Sequence, residues 1–244
     1  EFMANFKVSQ EEISAGVREA QKIFLDLENL EFPSVCAING YALGGGFEMC
    51  LACTYRVVST KAKVGQPEVK LGILPGFGGT SRLPRLLGVD NALEWMAIGN
   101  NQSAEAALKS GAVDAVSEPD TLRDSALTLL RRAAAGELNW QAKRDELRGP
   151  LKLNQNEALM AFESARGLIA QKAGKNYPAP LTIVGVVQVS APLPLEQALE
   201  IEAEGFAELA KTQQAAALIG IFLGDQLLKK KAKQARKQAR PFEQ

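Results

Sequence analysis

Two glutamates, Glu48 and Glu68, stand where their carboxylates could do chemistry. Glu48 follows three glycines at 44–46 in an otherwise apolar helical stretch, where an unpaired carboxylate is costly to bury. Glu68 lies twenty residues further on in a turn-rich stretch. Two facing carboxylates could place a water between them, one accepting its proton while the other exchanges a proton with a carbon acid.

Each of these features also has a purely structural explanation. Glu48 would interact favourably with the helix dipole at a helix start. Glu68 could be an exposed acid in a turn, and the three glycines could serve close packing. The same glycines, however, leave backbone N–H groups at a helix N-terminus uncovered, so an oxyanion or a thioester oxygen could approach them.

The chain length between the two glutamates allows them to meet. A helix of roughly nine residues rises ~13 Å, and a returning strand of about four residues covers a similar distance. We therefore expect Glu68 to return level with Glu48.

The chain has 244 residues and contains no histidine. Without an imidazole there is no Ser-His-Asp triad, no Cys-His protease pair, no histidine-containing zinc site and no histidine-ligated haem. Any enzymatic chemistry must rest on carboxylates, Lys, Tyr, Cys or backbone amides.

The three cysteines, Cys36, Cys50 and Cys53, are odd in number and close in sequence, which indicates a reducing, cytoplasmic setting. Cys50 and Cys53 have redox-motif spacing, but no glycine-proline turn follows them and a four-ligand metal site lacks partners. We expect buried structural thiols and no metal. The longest apolar run, 215–224, is half the length of a bilayer span, and no signal-peptide pattern is present.

A net charge of zero hides a basic tail on an acidic body. Residues 229–244 hold seven basic side chains and one acid, whereas the rest of the chain carries a net charge of −6. A nucleic-acid or membrane role is disfavoured because no aromatic residue is interleaved with these charges and the body would repel phosphate. A solvated helix end or a linker is the simpler interpretation, and RNA binding would require a strongly salt-dependent affinity.

Hydrophobic periodicity and turn residues predict the elements that position the glutamates. In the first third of the chain, these patterns predict a helix at 10–29, a strand at 35–38 buried on both faces, an apolar helix at 47–52, a strand at 55–59 and a turn-rich segment at 63–76. In the first helix the apolar residues with helical spacing are Ile13, Val17, Ile23, Phe24 and Leu27. Strand, glycine turn, helix and strand in that order indicate a layered α/β fold.

Beyond Gly78 the sequence is almost wholly helical. The predicted elements are helices at 79–87, 90–99, 103–110, 120–135, 155–173, 181–190, 195–210 and 212–237, and a short strand near 112–116. The helix at 155–173 carries Leu159, Phe162, Leu168 and Ile169 on one predicted face. The glycine-rich segment 75–81 lacks the Lys-Ser/Thr of a P-loop, so we interpret it as a turn and a helix start.

Two motifs in this order carry a family resemblance. Residues 39–48 are NGYALGGGFE, residues 67–80 are PEVKLGILPGFGGT, and RLPR follows at 82–85. Together they resemble the signature of the enoyl-CoA hydratase/isomerase (crotonase) family, and the resemblance covers essentially the whole chain. A narrower resemblance is to the multifunctional members from bacterial fatty acid β-oxidation complexes, and it is carried by residues 152–153, by residues 174–180 and by the basic terminal helix. In those members a 3-hydroxyacyl-CoA dehydrogenase follows the hydratase/isomerase domain.

The resemblance implies catalytic roles for particular residues. Glu48 and Glu68 match the two catalytic glutamates of the family, and the amide of Gly45 matches one of its two oxyanion-hole donors. The implied reaction is syn addition of water across a 2-enoyl-CoA thioester. Related subunits also move a 3-enoyl double bond to the 2-position with the same carboxylates and no water.

The resemblance also implies a substrate wall and no cofactor for hydration. Gly76 and Phe77, and more weakly Leu74, match the residues that line the acyl pocket. The acyl-CoA thioester is the substrate, and NAD would serve only a dehydrogenase domain that this chain does not include.

The fold implied by the resemblance is α/β, a crotonase-like spiral of ββα units that lacks its N-terminal part and is followed by a helical region. We expect an incomplete crotonase-like core at 1–140, a helical part of the same domain at 141–210, and a long basic linker helix at 211–244 toward the dehydrogenase domain. A loose boundary falls between 137 and 155. Because the chain begins at Glu1 and not at methionine, we expect a fragment.

The implied partners are an acyl-CoA substrate, a thiolase subunit, the protein's own dehydrogenase domain and other copies of the chain. An alternative function from a different class is a catalytically incompetent fragment that acts only as a binding or assembly module. The apolar stretch 212–228 ahead of the basic tail favours that alternative. Binding of acyl-CoA to the chain distinguishes the two.

Overall fold

The computed structural model describes residues 8–174 and 176–238. Its α-helices are α1 (Gln10–Glu28), α2 (Gly45–Ala52), α3 (Gly79–Leu87), α4 (Val89–Ile98), α5 (Ala104–Ser110), α6 (Leu122–Ala134), α7 (Trp140–Arg148), α8 (Gln155–Ala173), α9 (Ala179–Ser190), α10 (Leu195–Ala210) and α11 (Gln213–Gln238). Its strands are β1 (Val35–Ile38), β2 (Tyr41–Leu43), β3 (Tyr55–Ser59), β4 (Lys63–Gly65), β5 (Gln102–Ser103) and β6 (Ala115–Ser117), and 3-10 turns span Glu68–Leu71 and Pro119–Thr121. The ends of the expected 1–140 and 211–244 segments, at 1–7 and 239–244, and Lys175 of the 174–180 motif lie outside the described residues.

The strands form two small sheets that stack the turns of a spiral. In the first sheet the order is β1-β3-β6 with parallel neighbours. In the second, β2 pairs with β4 in parallel and β5 adds in antiparallel. Each turn of the chain gives its first strand to one sheet and its second to the other, as β1-β2-α2 and β3-β4 show. The expected α/β spiral of ββα units followed by a helical region is therefore present.

Strand β3 is the central strand of its sheet and is buried along its whole length, with Val57 and Val58 at 0% exposure. Val57 packs against α6, and Val58 belongs to the main core. The prediction that 35–38 is buried on both faces was wrong for β1, in which Ala37 is exposed. Strand β1 lies at the edge of the described sheet, with β3 on one side.

Helix α1 begins with a capping box between Ser9 and Glu12, which satisfies two amides at the helix start. Ile13 and Val17 pack against three alanines of α10. Ile23, predicted on the same apolar face, is instead 67% exposed, and the polar Gln21 takes a buried place because it finds partners in α10.

Helix α8 buries a narrower stripe than its sequence predicts. Phe162 and Ile169, one heptad apart, are buried, whereas Leu159 and Leu168 are about 60% exposed, contrary to the predicted face. The helix contacts α9 and α4, and side chains turned away from that seam remain outside it.

Most of the other differences between the predicted and the observed elements concern short strands. Strands β2, β4 and β5 were not predicted, because a strand of two or three residues is too short to show alternation. The predicted strand near 112–116 lies at 115–117. The interpretation of 75–81 as a turn and helix start is confirmed, since α3 begins at Gly79 after Gly78 with a φ of +111°.

The main hydrophobic core contains buried residues from Ile38 to Ile219 and includes side chains of both sheets, of helices α2 to α5 and of helices α8 to α11. Within the described residues, no helix combines the length and the apolar character that a membrane crossing needs.

Candidate active site

Glu48 lies in the first turn of α2 and is 1% exposed. Its Oε1 accepts hydrogen bonds from the amides of Phe77 at 2.7 Å and of Gly79 at 2.8 Å. These two donors occupy one oxygen of the carboxylate. The expected burial of the surrounding helix is present at Phe47 and Leu51 but not at Met49, which is 49% exposed.

Glu68 opens the 3-10 turn and is half-buried. The pairing of β2 with β4 aligns Leu43 with Gly65, and the Gly44 amide donates to the Gly65 carbonyl at 2.9 Å. A Cβ built on Gly44 would lie 2.6 Å from Glu68 Oε1. The Glu68 carboxylate therefore lies against the glycine turn that begins α2, so the chain does bring the two glutamates together, through β3 and β4 rather than a single returning strand.

Gln66 lies beside both glutamates and is completely buried. With its amide nitrogen turned toward Glu68, the side chain donates to both carboxyl oxygens of Glu68 at 3.1 Å. A Cβ built on Gly79 would lie 2.9 Å from the same amide group and 2.9 Å from Glu48 Oε1. Gln66 was not predicted from the sequence, although it stands directly before Pro67 and Glu68.

Both glutamates hold their protons more tightly than a free glutamate. Burial raises the pKa of Glu68 to about 8, and the charge of Glu202 adds to the effect. Burial also raises the pKa of Glu48, with further contributions from the charges of Glu68 and Glu202, while the amides of Gly79 and Phe77 oppose the rise. Because neighbouring carboxyl groups repel each other's negative charge, the pair formed by Glu48 and Glu68 retains one proton near neutral pH.

Gly45 is the first residue of α2 and follows Gly44, whose φ is +56°. The first amides of an α-helix have no acceptor within the helix. A Cβ on Gly45 would lie 3.1 Å from the Phe77 ring and 3.9 Å from Glu48 Oε2. The missing side chain therefore leaves space between the helix start, Phe77 and the second oxygen of Glu48.

The three predicted substrate-wall residues lie at different depths. Phe77 is half-buried and meets the Phe24 ring edge to face, with 5.8 Å between centroids. Gly76 is buried under Phe206, whose ring would be 2.7 Å from a Cβ at that position. Leu74 is fully buried in the main core. Of the three, the structure places Phe77 in contact range of the Glu48 site.

A third buried carboxylate, Glu202 of α10, lies behind the same segment and is 0% exposed. Its oxygens accept from the Gly78 amide at 2.5 Å, the Thr80 hydroxyl at 2.6 Å and the Ser81 amide at 3.1 Å. Glu202 was not predicted from the sequence. Its signal was an acid at a position where the helical period of α10 calls for an apolar residue, in line with the buried Leu195, Ala198 and Leu199.

The large cavity of the described structure lies apart from the predicted site residues. A cavity of about 930 Å³ lies between α4 and α8, and none of the predicted site residues lines it. Within 8–174 and 176–238, no three Cys, Asp or Glu side chains are grouped so as to hold a metal ion. Cys50 and Cys53 are buried free thiols, as expected, but Cys36 on the edge strand β1 is partly exposed.

A family model described as enoyl-CoA hydratase/isomerase matches residues 3–174. The chain belongs to this family. It is 57% identical over 96% of its length to the fatty acid oxidation complex subunit alpha of Pseudomonas entomophila (strain L48), and 58% identical, again over 96%, to that of Pseudomonas aeruginosa (strain LESB58). It spans 33% of the length of each of these relatives, about a third.

Solved structures of this enoyl-CoA hydratase/isomerase family share the fold. An enoyl-CoA hydratase from Bacillus anthracis is 28% identical with a TM-score of 0.52, and the match covers 77% of this chain and 72% of that one. An enoyl-CoA hydratase from Mycobacterium avium subsp. paratuberculosis K-10 gives a TM-score of 0.59 at 18% identity, covering 85% and 70%. At that identity the second likeness concerns the fold alone.

Proposed function

We propose that this chain is the hydratase part of a multifunctional fatty acid oxidation subunit. It would add water to a 2-enoyl-CoA to form a 3-hydroxyacyl-CoA, and would also move a 3-enoyl double bond to the 2-position. The observation that carries the proposal is the meeting of Glu48 and Glu68 at the glycine-built start of α2. Membership of the enoyl-CoA hydratase/isomerase family supports it.

Glu48 is the proposed base. Two backbone amides on its Oε1 favour the charged form, and its Oε2 lies toward Gly45. In the proposed hydration step, Oε2 accepts a proton from the water whose oxygen bonds to C3 of the enoyl thioester.

Glu68 is the proposed proton donor. With a pKa of about 8 it is protonated at neutral pH, and it gives this proton to C2 of the substrate as the C2–C3 double bond opens. Negative charge that develops on the thioester oxygen is stabilised by the Gly45 amide. In this proposal water and proton add to the same face of the double bond, because the two carboxyl groups lie beside adjacent residues of the same glycine turn, Gly44 and Gly45.

The same two carboxyl groups account for isomerisation without water. A carboxylate removes a proton from C2 of a 3-enoyl-CoA, the double bond moves from C3–C4 to C2–C3, and a protonated carboxyl group delivers a proton to C4. Neither reaction needs a cofactor. We assign Gly76 and Phe77 to the wall of the acyl pocket, and Leu74 to the core layer behind it.

The organisation of the longer protein is also a proposal. We infer a crotonase-like core at 1–140, a helical part of the same domain at 141–210 and a linker helix at 211–244 toward a dehydrogenase that uses NAD. A thiolase subunit and further copies of the chain are the proposed partners. The names of the relatives support a place in a fatty acid oxidation complex. Because the cysteines are free thiols, we place the reaction in the cytoplasm.

The test follows the loss of the conjugated enoyl-CoA absorbance with the full-length gene product. The variants Glu48→Gln and Glu68→Gln should each lower kcat by about 10²–10⁴-fold, since each removes one partner of the proton transfer. Glu105→Gln on the exposed face of α5 is the matched control and should keep its rate. A Glu48→Gln, Glu68→Gln double variant with an undiminished rate would contradict the proposal.

One observation favours the alternative of a binding or assembly module. From 220 to 236 every side chain of α11 is exposed, including Ile221 at 70% and Leu228 at 67%. Calorimetry of acyl-CoA with the chain itself separates the two functions. Tight stoichiometric binding supports the hydratase, and no binding by a folded chain supports the module.

A further inference from the structure

We propose that Glu202 is a positioning residue for this active site: it fixes the segment 77–81, whose amides in turn hold Glu48. The inference rests on the proposed hydratase function. The hydrogen bonds of Glu202 go to this segment, at Gly78, Thr80 and Ser81, so its positioning effect on Glu48 passes through the segment.

The backbone amides of this segment are divided between two carboxylates. Phe77 and Gly79 donate to Glu48 Oε1, whereas Gly78 and Ser81 donate to Glu202. The segment forms the N-terminus of α3, where amides without helical partners favour anions. It therefore lies between two carboxylates, and a shift toward or away from Glu202 changes its distance to Glu48.

Glu202 is itself held rigidly. Its Oε1 also accepts from the Gln21 side chain at 3.1 Å, and Oε2 also lies 3.3 Å from the Ser81 hydroxyl. The same Gln21 nitrogen is 3.1 Å from the Gly76 carbonyl, which ties α1 to the start of the segment. Donors on both oxygens suit an ionised carboxylate, because a protonated one would turn a hydrogen toward another donor.

Arg82 secures the carbonyl side of the segment. Its guanidinium pairs with Glu28 of α1 at 2.9 Å and donates to the Phe77 carbonyl at 3.1 Å. Burial raises the pKa of Glu202, while the hydrogen bonds from Thr80 and Gly78 and the charge of Arg82 oppose the rise. The ion pair beside Glu202 thus joins Arg82 of α3 to Glu28 of α1.

Glu202 also acts on the two proposed catalytic carboxyl groups through its charge. That charge raises the pKa of both Glu48 and Glu68. The ionisable groups that face Glu202 across the site are these two glutamates, from α2 and the 3-10 turn, together with Arg82 and Arg85 of α3 and Glu28 of α1.

The test compares Glu202→Gln and Glu202→Asp in the full-length gene product. The amide of Glu202→Gln turns an NH₂ toward donors, and the shorter side chain of Glu202→Asp withdraws the carboxylate, so both move the segment. We expect kcat to fall on the order of 10²-fold with KM little changed, since a small displacement of a catalytic group costs that much. Glu200→Gln, exposed on the same helix, is the matched control and should match the unchanged protein.

Two readouts separate positioning from a merely structural role. In a Glu48→Gln background, Glu202→Gln should lower kcat little further, because it acts through Glu48, while its effect on unfolding persists. Carboxyl ¹³C NMR should show the pKa of Glu68 falling below its value of about 8 in Glu202→Gln and staying higher in Glu202→Asp, which keeps the charge. Full additivity in kcat together with an unmoved Glu68 titration overturns the inference.

Thr80→Val provides a milder variant if Glu202→Gln does not fold. It removes one donor from Oε2 and leaves the charge in place, so kcat should fall several-fold, and an unchanged kcat counts against the inference. If the unchanged protein shows no hydration, the proposed function fails, and the NMR titration still decides the link between Glu202 and Glu68. If the unchanged protein is active, the Glu202 variants keep its kcat and the pKa of Glu68 does not shift in Glu202→Gln, this inference is wrong while the proposed function stands.

Discussion

At the scale of single residues, the environment of each carboxyl group decides its chemistry. Glu48 is buried with one oxygen held by two amides. Glu68 is half-buried and lies beside the Gln66 amide and the Gly44 backbone. These different surroundings separate a proposed base from a proposed acid although the two side chains are identical.

The raised pKa of Glu68 predicts a pH limit for hydration. As the proposed proton donor, Glu68 must be protonated, so kcat/KM should fall as the pH rises through about 8. The measurement is the initial rate of hydration at low substrate concentration across this range. A flat profile between about pH 7 and about pH 9 would contradict the assignment of Glu68 as the acid.

The same shift predicts a cost in stability. The pKa of Glu68 is about 8 in the fold, against 4.5 for a free side chain. Between these values the folded state holds a proton that the unfolded state has lost, so stability decreases as the pH rises from about 4.5 to about 8.

Glu68→Gln should therefore be more stable than the unchanged protein at about pH 8.5, by on the order of a few kcal/mol, with a smaller difference at about pH 5.5. Urea unfolding at both values measures this difference. An advantage that is equal at the two values, or absent at both, would show that burial of Glu68 does not carry this cost.

At the scale of elements, the glycine turn before α2 brings the two glutamates together. The β2–β4 pairing delivers Glu68 to Gly44. The 3-10 turn that carries Glu68 is fixed from behind, since the Tyr177 hydroxyl donates to the Val69 carbonyl and a Cβ on Gly72 would be 3.0 Å from Ala215 Cα of α11. The position of Glu68 thus depends on elements more than a hundred residues further along the chain.

Gly44→Ala tests this turn. The new Cβ would lie 2.6 Å from Glu68 Oε1, and a φ of +56° is unfavourable for alanine by about 1–2 kcal/mol. We expect that loss of stability together with a larger loss of hydration activity, on the order of 10²-fold, because the carboxyl group is displaced. Gly46→Ala, where a Cβ meets nothing within 4 Å, is the control. Equal activity in the two variants would contradict the close approach.

At the scale of the whole molecule, α11 is packed at its start and exposed beyond it. Ala215 and Ile219 are buried, whereas every described side chain from 220 to 236 is exposed. The apolar part of this segment includes Ile221, Phe222 and Leu228. Several exposed apolar side chains on one helix favour association.

We predict that the chain self-associates with rising concentration through this surface. An Ile221→Glu, Leu228→Glu double variant should reduce the association, measured by sedimentation velocity, and leave the melting temperature unchanged because both side chains are exposed. Gln226→Glu adds a charge to the same exposed segment and serves as the control. A chain that sediments as a monomer at all concentrations would exclude this route of association.

Much of the local structure could be predicted from the sequence. The helix starting after Gly44, the helix starting at Gly79 and the central strand β3 follow from patterns within about ten residues. The predictions failed where a face depends on distant neighbours. Ile23 and Leu168 are exposed although their spacing is helical, because spacing shows that a face exists but not how wide its partner is.

The residues of the site also divide into those that the sequence identifies and those that only the packing shows. Glu48, Glu68 and the glycine turn could be identified from their order along the chain, because residue type and spacing carry turn chemistry and charge. Gln66 and Glu202 became visible through packing, since a buried polar side chain is defined by the donors and acceptors that reach it. Glu202 meets Gly78 across 124 positions of sequence, and no local pattern encodes a hydrogen bond over that separation.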